Sequence, residues 1–284
     1  MLIRVGYDII FEYPVPTSVI AILHMHPSRG PSIRRSEYLL VEPRVQISEY
    51  FDGFGNRCSR LIAPAGQVRF WNDAVVEDSG QLDRQNPGVE QHEIYDLPDE
   101  ALNFLIASRY CEVDRMLDIA WQLFGTTPKG WARVQAVCDF VNQHIHFDYF
   151  QARSTRTAYE AYQERVGVCR DFAHLAVTFC RCLNIPARYC TGYLGDIGVP
   201  ATPDPMDFSA WFEAYLGREW RTFDARNNTP RIGRILMAHG RDAADVALLT
   251  SFGPSRLERF QVWTDEVGEE ALVQAPSQQD QARL

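Results

Sequence analysis

The sequence predicts an α+β protein in which an N-terminal antiparallel β-sandwich is followed by helices packed on a second antiparallel sheet. Between residues 3 and 71, apolar and polar residues alternate in short runs, the period of half-buried strands. From residue 98 to residue 182 the apolar spacing changes to three and four, the period of amphipathic helices. Beyond Pro186, β-type runs return, which places helices and strands in separate blocks of one domain.

In the opening strand Ile3, Val5, Tyr7, Ile9 and Phe11 share one face, and Arg4 and Asp8 share the other. Further strands are expected at 19–25, 38–41, 45–51, 58–63 and 68–71, divided by turn clusters such as Asp52-Gly53-Phe54-Gly55-Asn56 and Pro64-Ala65-Gly66. Regularly spaced short strands imply a sandwich. Residues 79–98 are rich in Gly, Pro, Gln and Asp and mark a crossing, so the expected domains are 1–95 and 96–265. Pro98-Asp99-Glu100 opens a helix, and 114–124 forms another with Met116, Leu117, Ala120, Leu123 and Phe124 inward. Trp131, Val134, Val137, Cys138, Val141 and Ile145 form the buried stripe of a third. A fourth starts at Cys169, continues its face through Ala173, Ala176, Val177 and Cys180, and is stopped by Pro186. Strands follow at 187–194, 209–216 and 220–224. The polar, Gln-rich residues 266–284 are expected as a loose tail.

The 37 acidic residues outnumber the 28 basic ones and give a net charge of −9, which argues against a nucleic-acid partner and favours a neutral or cationic one. No run reaches the ~18 apolar residues of a membrane span, and the first thirty residues lack a leader pattern. Seven cysteines, an odd number without framework spacing, indicate free thiols in a reducing compartment. The expected location is the cytoplasm, away from the membrane.

Gly167-Val168-Cys169-Arg170-Asp171-Phe172 sets a cysteine at the head of an amphipathic helix. Unpaired amides and the positive dipole end there favour a thiolate, and the same amides could hold a tetrahedral oxyanion. Gly167 would let the chain turn, and Asp171 complements the dipole. The competing reading is a buried cysteine acting as a small hydrophobe. The hairpin strengthens the case for chemistry. If Gly217 and Arg218 form its two-residue turn, Trp211 lies opposite Asp224, and Ser209 and Asp224 become diagonal neighbours on one face. A base at 209 oriented by Asp224 and aimed at Cys169 would complete a nucleophile, base and orienter arrangement.

The run GVCRDFAHLAVTFCRCLNIPARYCTGYL, followed by MDFSAWFEAYLGREWRTFDAR, resembles the bacterial transglutaminase-like cysteine-enzyme superfamily, which has a papain-like fold. ASRYCEVDRM at 107–116 is similar to the entry into that family's catalytic domain, and the strand-rich front with its Asp52–Asn56 turn is similar to its N-terminal sandwich. The resemblance spans about residues 1–265. It implies thiol chemistry on a peptide or protein amide, by hydrolysis, deamidation or acyl transfer, with no metal or organic cofactor. Cys169 matches the family nucleophile and Asp224 its acid. Where the family pattern has a histidine before Ala-Trp, this chain has Ser209 before Ala210-Trp211. A serine hydroxyl is neither a base nor a cation near neutral pH. Trp211, Arg170 and Asn227 are expected to border the substrate cleft.

His174, about 140° round the helix from Cys169, is expected to pack inside the domain. His239 could fold back over the cleft, and Arg226-Asn227-Asn228 could bind substrate. His144, His146 and Asp148 lack a fourth metal ligand and suit a wetted helix end. Cys180 and Cys182 point apart, and Gly192 and Gly195 are turn glycines without a phosphate loop's Lys-Ser/Thr. Residues 195–205 are expected as an exposed loop beside the cleft. Two functions remain open: a cysteine enzyme with an unidentified base, or a non-catalytic relative whose cleft binds a peptide or partner protein.

Overall fold

The computed structural model describes residues 1–201 and 206–273. Its architecture is the expected mixed one, with antiparallel sheets and several helices. The opening strand, Leu2–Tyr13, is long because its alternation is unbroken, and Ile3, Val5, Tyr7 and Ile9 are all buried. It lies between Gly66–Glu77 and Arg256–Val267 in a five-stranded sheet that also holds Ile33–Arg35 and Leu40–Glu42. The facing sheet runs Leu249–Ser251, Thr17–Ala21, Arg57–Ala63, Ser48–Phe51. The strand expected at 68–71 continues to Glu77. Asn72 and Asp73 look like a terminus, but Asn72 is buried and Asp73 forms ion pairs with Arg4 and Arg35.

The boundary expected at residue 95 does not confine the sandwich to the chain before it. Leu249–Ser251 pairs with Thr17–Ala21, and Arg256–Val267 runs the length of Leu2–Tyr13, so both sandwich sheets are completed from the far end of the chain. Three ion pairs help hold these strands, with Asp8 bridging Arg69 and Arg259, and Arg4 joined to Asp73. The expected loose tail is corrected at its start: Val267 ends a strand, and Glu270–Val273 is a helical turn with Ala271 buried. Residues 274–284 lie outside the described residues.

The second sheet runs Glu219–Phe223, Ser209–Leu216, Ala187–Tyr193, Ile235–Gly240. One side receives the helices Val113–Phe124, Trp131–His144 and Cys169–Cys182. The other contributes Tyr193, Ile235 and Met237 to the sandwich core, together with Phe208. The two halves therefore share one apolar layer. The helix at Val113–Phe124 buries Met116, Ala120 and Phe124 and leaves Leu117 and Leu123 partly exposed; its stripe is a single i, i+4 row. The Cys169 helix is surrounded, with buried residues at every position from Asp171 to Cys182. Within it Arg181 donates to the carbonyls of Ile106, Ala187 and Arg241, pinning the helix to its neighbours. The helix ends at Cys182, before Pro186, because Asn184 takes a left-handed conformation.

Candidate active site

Cys169 is placed by the first turn of its helix. Asp171 folds back to accept the Val168 N–H at 2.9 Å and a guanidinium N–H of Arg156 at 3.0 Å. This Arg156–Asp171 pair is almost wholly enclosed, and a buried pair with a second hydrogen bond fixes geometry more than it adds stability. Gly167 is required for space more than for a turn: a Cβ there would lie 2.6 Å from the Asp171 carboxylate.

Of the seven cysteines, six are buried, and Cys169 alone is part-exposed. It opens into a cavity of about 620 Å³ walled by Tyr149, Asp207, Ser209, Arg226 and Asn227, with Thr264–Glu266 on the sandwich side. Burial pushes the Cys169 thiol up to about 11. The Arg226 guanidinium and the backbone N–H groups of Ala210 and Arg170 pull it down, while the Asp207 carboxylate pushes it up. Desolvation thus outweighs Arg226 and the two amides, which favours the thiol over the thiolate at neutral pH.

The hairpin forms as its turn chemistry predicts. Gly217 and Arg218 both have positive φ, at 59° and 66°, the two-residue turn that matches strand twist. Leu216 pairs with Glu219 and Phe212 with Phe223. There the ladder stops. Ser209 to Trp211 extend beyond its last rung, which leaves the Ala210 N–H able to face the Cys169 sulfur. Ser209 lines the cavity with Cys169.

Asp224 does not line that cavity; it borders a separate one of about 70 Å³. One of its oxygens accepts the N–H groups of Arg226 and Asn227 at 3.0 and 2.9 Å, and the other accepts Asn227 Nδ2 and Arg234 Nη2, both at 2.8 Å. Burial alone would raise its carboxyl, but Arg234 and the donors from Asn227 hold it below the usual carboxylate range. Arg234 also pairs with Asp83 at 2.8 Å. Asp224 fixes the turn that presents Arg226 and Asn227 to Cys169, and Asn227 lines the cavity.

Two cleft expectations are corrected. Trp211 is buried outside the cavity, with the Arg234 guanidinium 5.3 Å from its ring, so it packs under the Asp224 cluster. Arg170, one helix step from Cys169, swings away to the Arg153 carbonyl and over Tyr110. Neither singled-out histidine reaches the site. His174 is enclosed, accepts the Ala243 N–H through Nε2 at 3.1 Å and stacks on Tyr110. His239 meets the His26 ring at a tilt, with centroids 5.0 Å apart, and burial with Arg188 nearby brings it down to about 3. His144 is bound to the Tyr162 carbonyl, and among the described residues no group of metal-ligating side chains converges. Of the loop expected at 195–205, Asp196 to Gly198 and Ala201 line the cavity, and residues 202–205 lie outside the described residues.

Asp207 was not among the residues singled out from the sequence. It lies two positions before Ser209, just ahead of the strand Ser209–Leu216, and that proximity was the available signal.

The model of the transglutaminase-like superfamily core matches residues 118–225. The crystal structure of "a Putative Cysteine Protease from Cytophaga hutchinsonii" superposes with a TM-score of 0.80 at 33% identity, covering 93% of this chain and 90% of that one. The chain belongs to the transglutaminase-like superfamily. Uncharacterized protein ML0607 of Mycobacterium leprae is 39% identical over 87 residues, which cover 29% of this chain and 30% of that protein's length. The periplasmic domain of TgpA from Pseudomonas aeruginosa aligns over 79% of this superfamily member and 88% of that domain, at 15% identity and a TM-score of 0.38. No helix among the described residues is long and apolar enough to cross a membrane.

Proposed function

We propose that this superfamily member is a cysteine enzyme that cleaves or exchanges amide bonds of a peptide or protein through a thioester on Cys169. The observation that carries the reading is the singular placement of that thiol. It is the one cysteine with access, it heads a helix locked by a buried ion pair, and two backbone N–H groups and a guanidinium favour its charged form. A binding module has no need of such a thiol. Hydrolysis, deamidation and transfer to an amine all proceed from the same thioester, and the cavity of about 620 Å³ has room for a side chain and an acceptor. Seven free cysteines suit a reducing compartment such as the cytoplasm.

The test is acylation by p-nitrophenyl acetate, with the modified residue located by peptide mapping. The expected outcome is an acetyl group on Cys169 and its complete loss in Cys169→Ala, with hydroxylamine accepting the acyl group from the natural protein. Absence of acetyl-Cys169 in the natural protein would rule the reading out. The second reading, a cleft that binds a peptide without chemistry, is favoured by the absence of an imidazole among the described residues lining the cavity. It predicts partner affinity unchanged in Cys169→Ala and abolished by a bulky residue at Ser209.

A further inference from the structure

A base is needed because the thiol is neutral at rest, and Ser209 cannot supply one. The cavity wall carries a carboxylate, Asp207, whose charge acts on the Cys169 sulfur. Asp207 is half-buried on the same wall as Ser209 and faces the space into which Cys169 opens. One of its oxygens accepts the Phe208 N–H at 2.6 Å, and the other faces the Tyr149 hydroxyl at 3.3 Å, a long contact that is easily given up. Asp224, by contrast, has every oxygen engaged by strong donors.

We propose that Asp207 is the proton acceptor for Cys169, and that Arg226 supplies the positive charge that an imidazolium would otherwise bring to the thiolate. This inference rests on the thioester chemistry above and names its missing base. Arg226 is anchored at three points, since its N–H is bound by Asp224, its carbonyl accepts Asn142 Nδ2 at 2.7 Å, and its guanidinium lies 4.0 Å from the Phe147 ring centroid. Desolvation raises the Asp207 carboxyl, which makes it a better base than an exposed aspartate. The charged and titratable groups around it are Tyr149 from the turn at Tyr149–Gln151, Cys169 from the helix, and Arg226 from the turn after Glu219–Phe223. Farther along the cavity wall are Asp196, Arg231, Asp265 and Glu266.

In the reaction, Cys169 Sγ attacks the amide carbonyl carbon as its proton passes to an Asp207 oxygen. The proton moves while the C–S bond forms, so the sulfur need not carry a full charge first. The tetrahedral oxyanion then collapses, the C–N bond breaks, and the departing nitrogen takes the proton from Asp207. In the second half, water or a primary amine gives a proton to Asp207 while bonding to the thioester carbon. The C–S bond breaks, and the leaving sulfur recovers that proton.

The experiment follows acetylation of Cys169 by p-nitrophenyl acetate from pH 4 to pH 9 in the natural protein, Asp207→Asn and Asp207→Glu, with iodoacetamide alkylation at pH 9 in parallel. In the natural protein the acetylation rate should rise as Asp207 loses its proton and then level off through neutrality. Asp207→Asn should lose that rise, acetylate about 100-fold more slowly at pH 6 and depend only on the thiolate fraction; Asp207→Glu should restore part of the rate. Alkylation at pH 9 should be undiminished in Asp207→Asn, because removing an anion favours the thiolate. The proposal is overturned if Asp207→Asn acetylates like the natural protein at pH 6. It is equally overturned if acetylation and alkylation fall together, which would make Asp207 a support of the fold. A natural protein that never acetylates at Cys169 would instead remove the thioester reading itself.

Discussion

The turn at residues 224–227 has two unlike sides. On one, Asp224 is enclosed, accepts four hydrogen bonds and borders a space of about 70 Å³. On the other, Asp207 and Arg226 face Cys169 across about 620 Å³. Both sides hold a carboxylate near an arginine, yet their chemistry differs because one carboxylate has spent its lone pairs. A fully satisfied acid holds backbone in place, whereas an acid with a weak partner can take a proton.

The sharpest way to break this contrast is Asp224→Asn, which should cost about 3 kcal/mol in urea unfolding, at the low end for a broken buried pair because Arg234 keeps Asp83. Asp224 is held below its unfolded value, so its contribution is full above the ordinary carboxylate range and is lost as pH falls through the depressed folded value. The stability gap between the natural protein and Asp224→Asn should therefore close in acid; a gap that persists there would show that charge is not the cause. Next in size, Ser209→His should place an imidazole in the cavity and raise Cys169 acetylation at neutral pH by ~10²-fold, while an unchanged rate would mean that position 209 does not face the sulfur. The smallest effect is expected from Arg226→Gln: Cys169 alkylation should shift to higher pH, and the lost contact with Phe147 should cost about 0.5–1 kcal/mol. A shift to lower pH would contradict the assigned role of the cation.

Local chemistry made part of this site legible in the sequence. The Gly217-Arg218 turn fixes the hairpin register, and the Gly167-to-Asp171 motif fixes the helix start, so Cys169, Ser209 and Asn227 were placed in one cavity. Which way Asp224 turns was not legible, because its strongest partner, Arg234, comes from a segment with no strand signal of its own. Asp83, which shares that arginine, comes from the polar stretch 79–98 that looked like a plain linker. The sandwich was clear at its front, where alternation is clean. Its closing strand, Arg256–Val267, was not, because it is held by charges such as Asp8 with Arg259, whose partner lies far away in sequence.

That closing strand sets a timetable. Its end supplies Thr264–Glu266 to the cavity, and it passes so close to Gly195 that a Cβ there would lie 2.3 Å from the Thr264 carbonyl. During synthesis the Cys169 helix and its hairpin emerge well before residue 267, while the strand Leu2–Tyr13 waits with one edge unpaired. Until the latecomer docks, the Cys169 thiol has a floor and no far wall. The cavity around Cys169 is therefore complete only once residues 264–266 are in place.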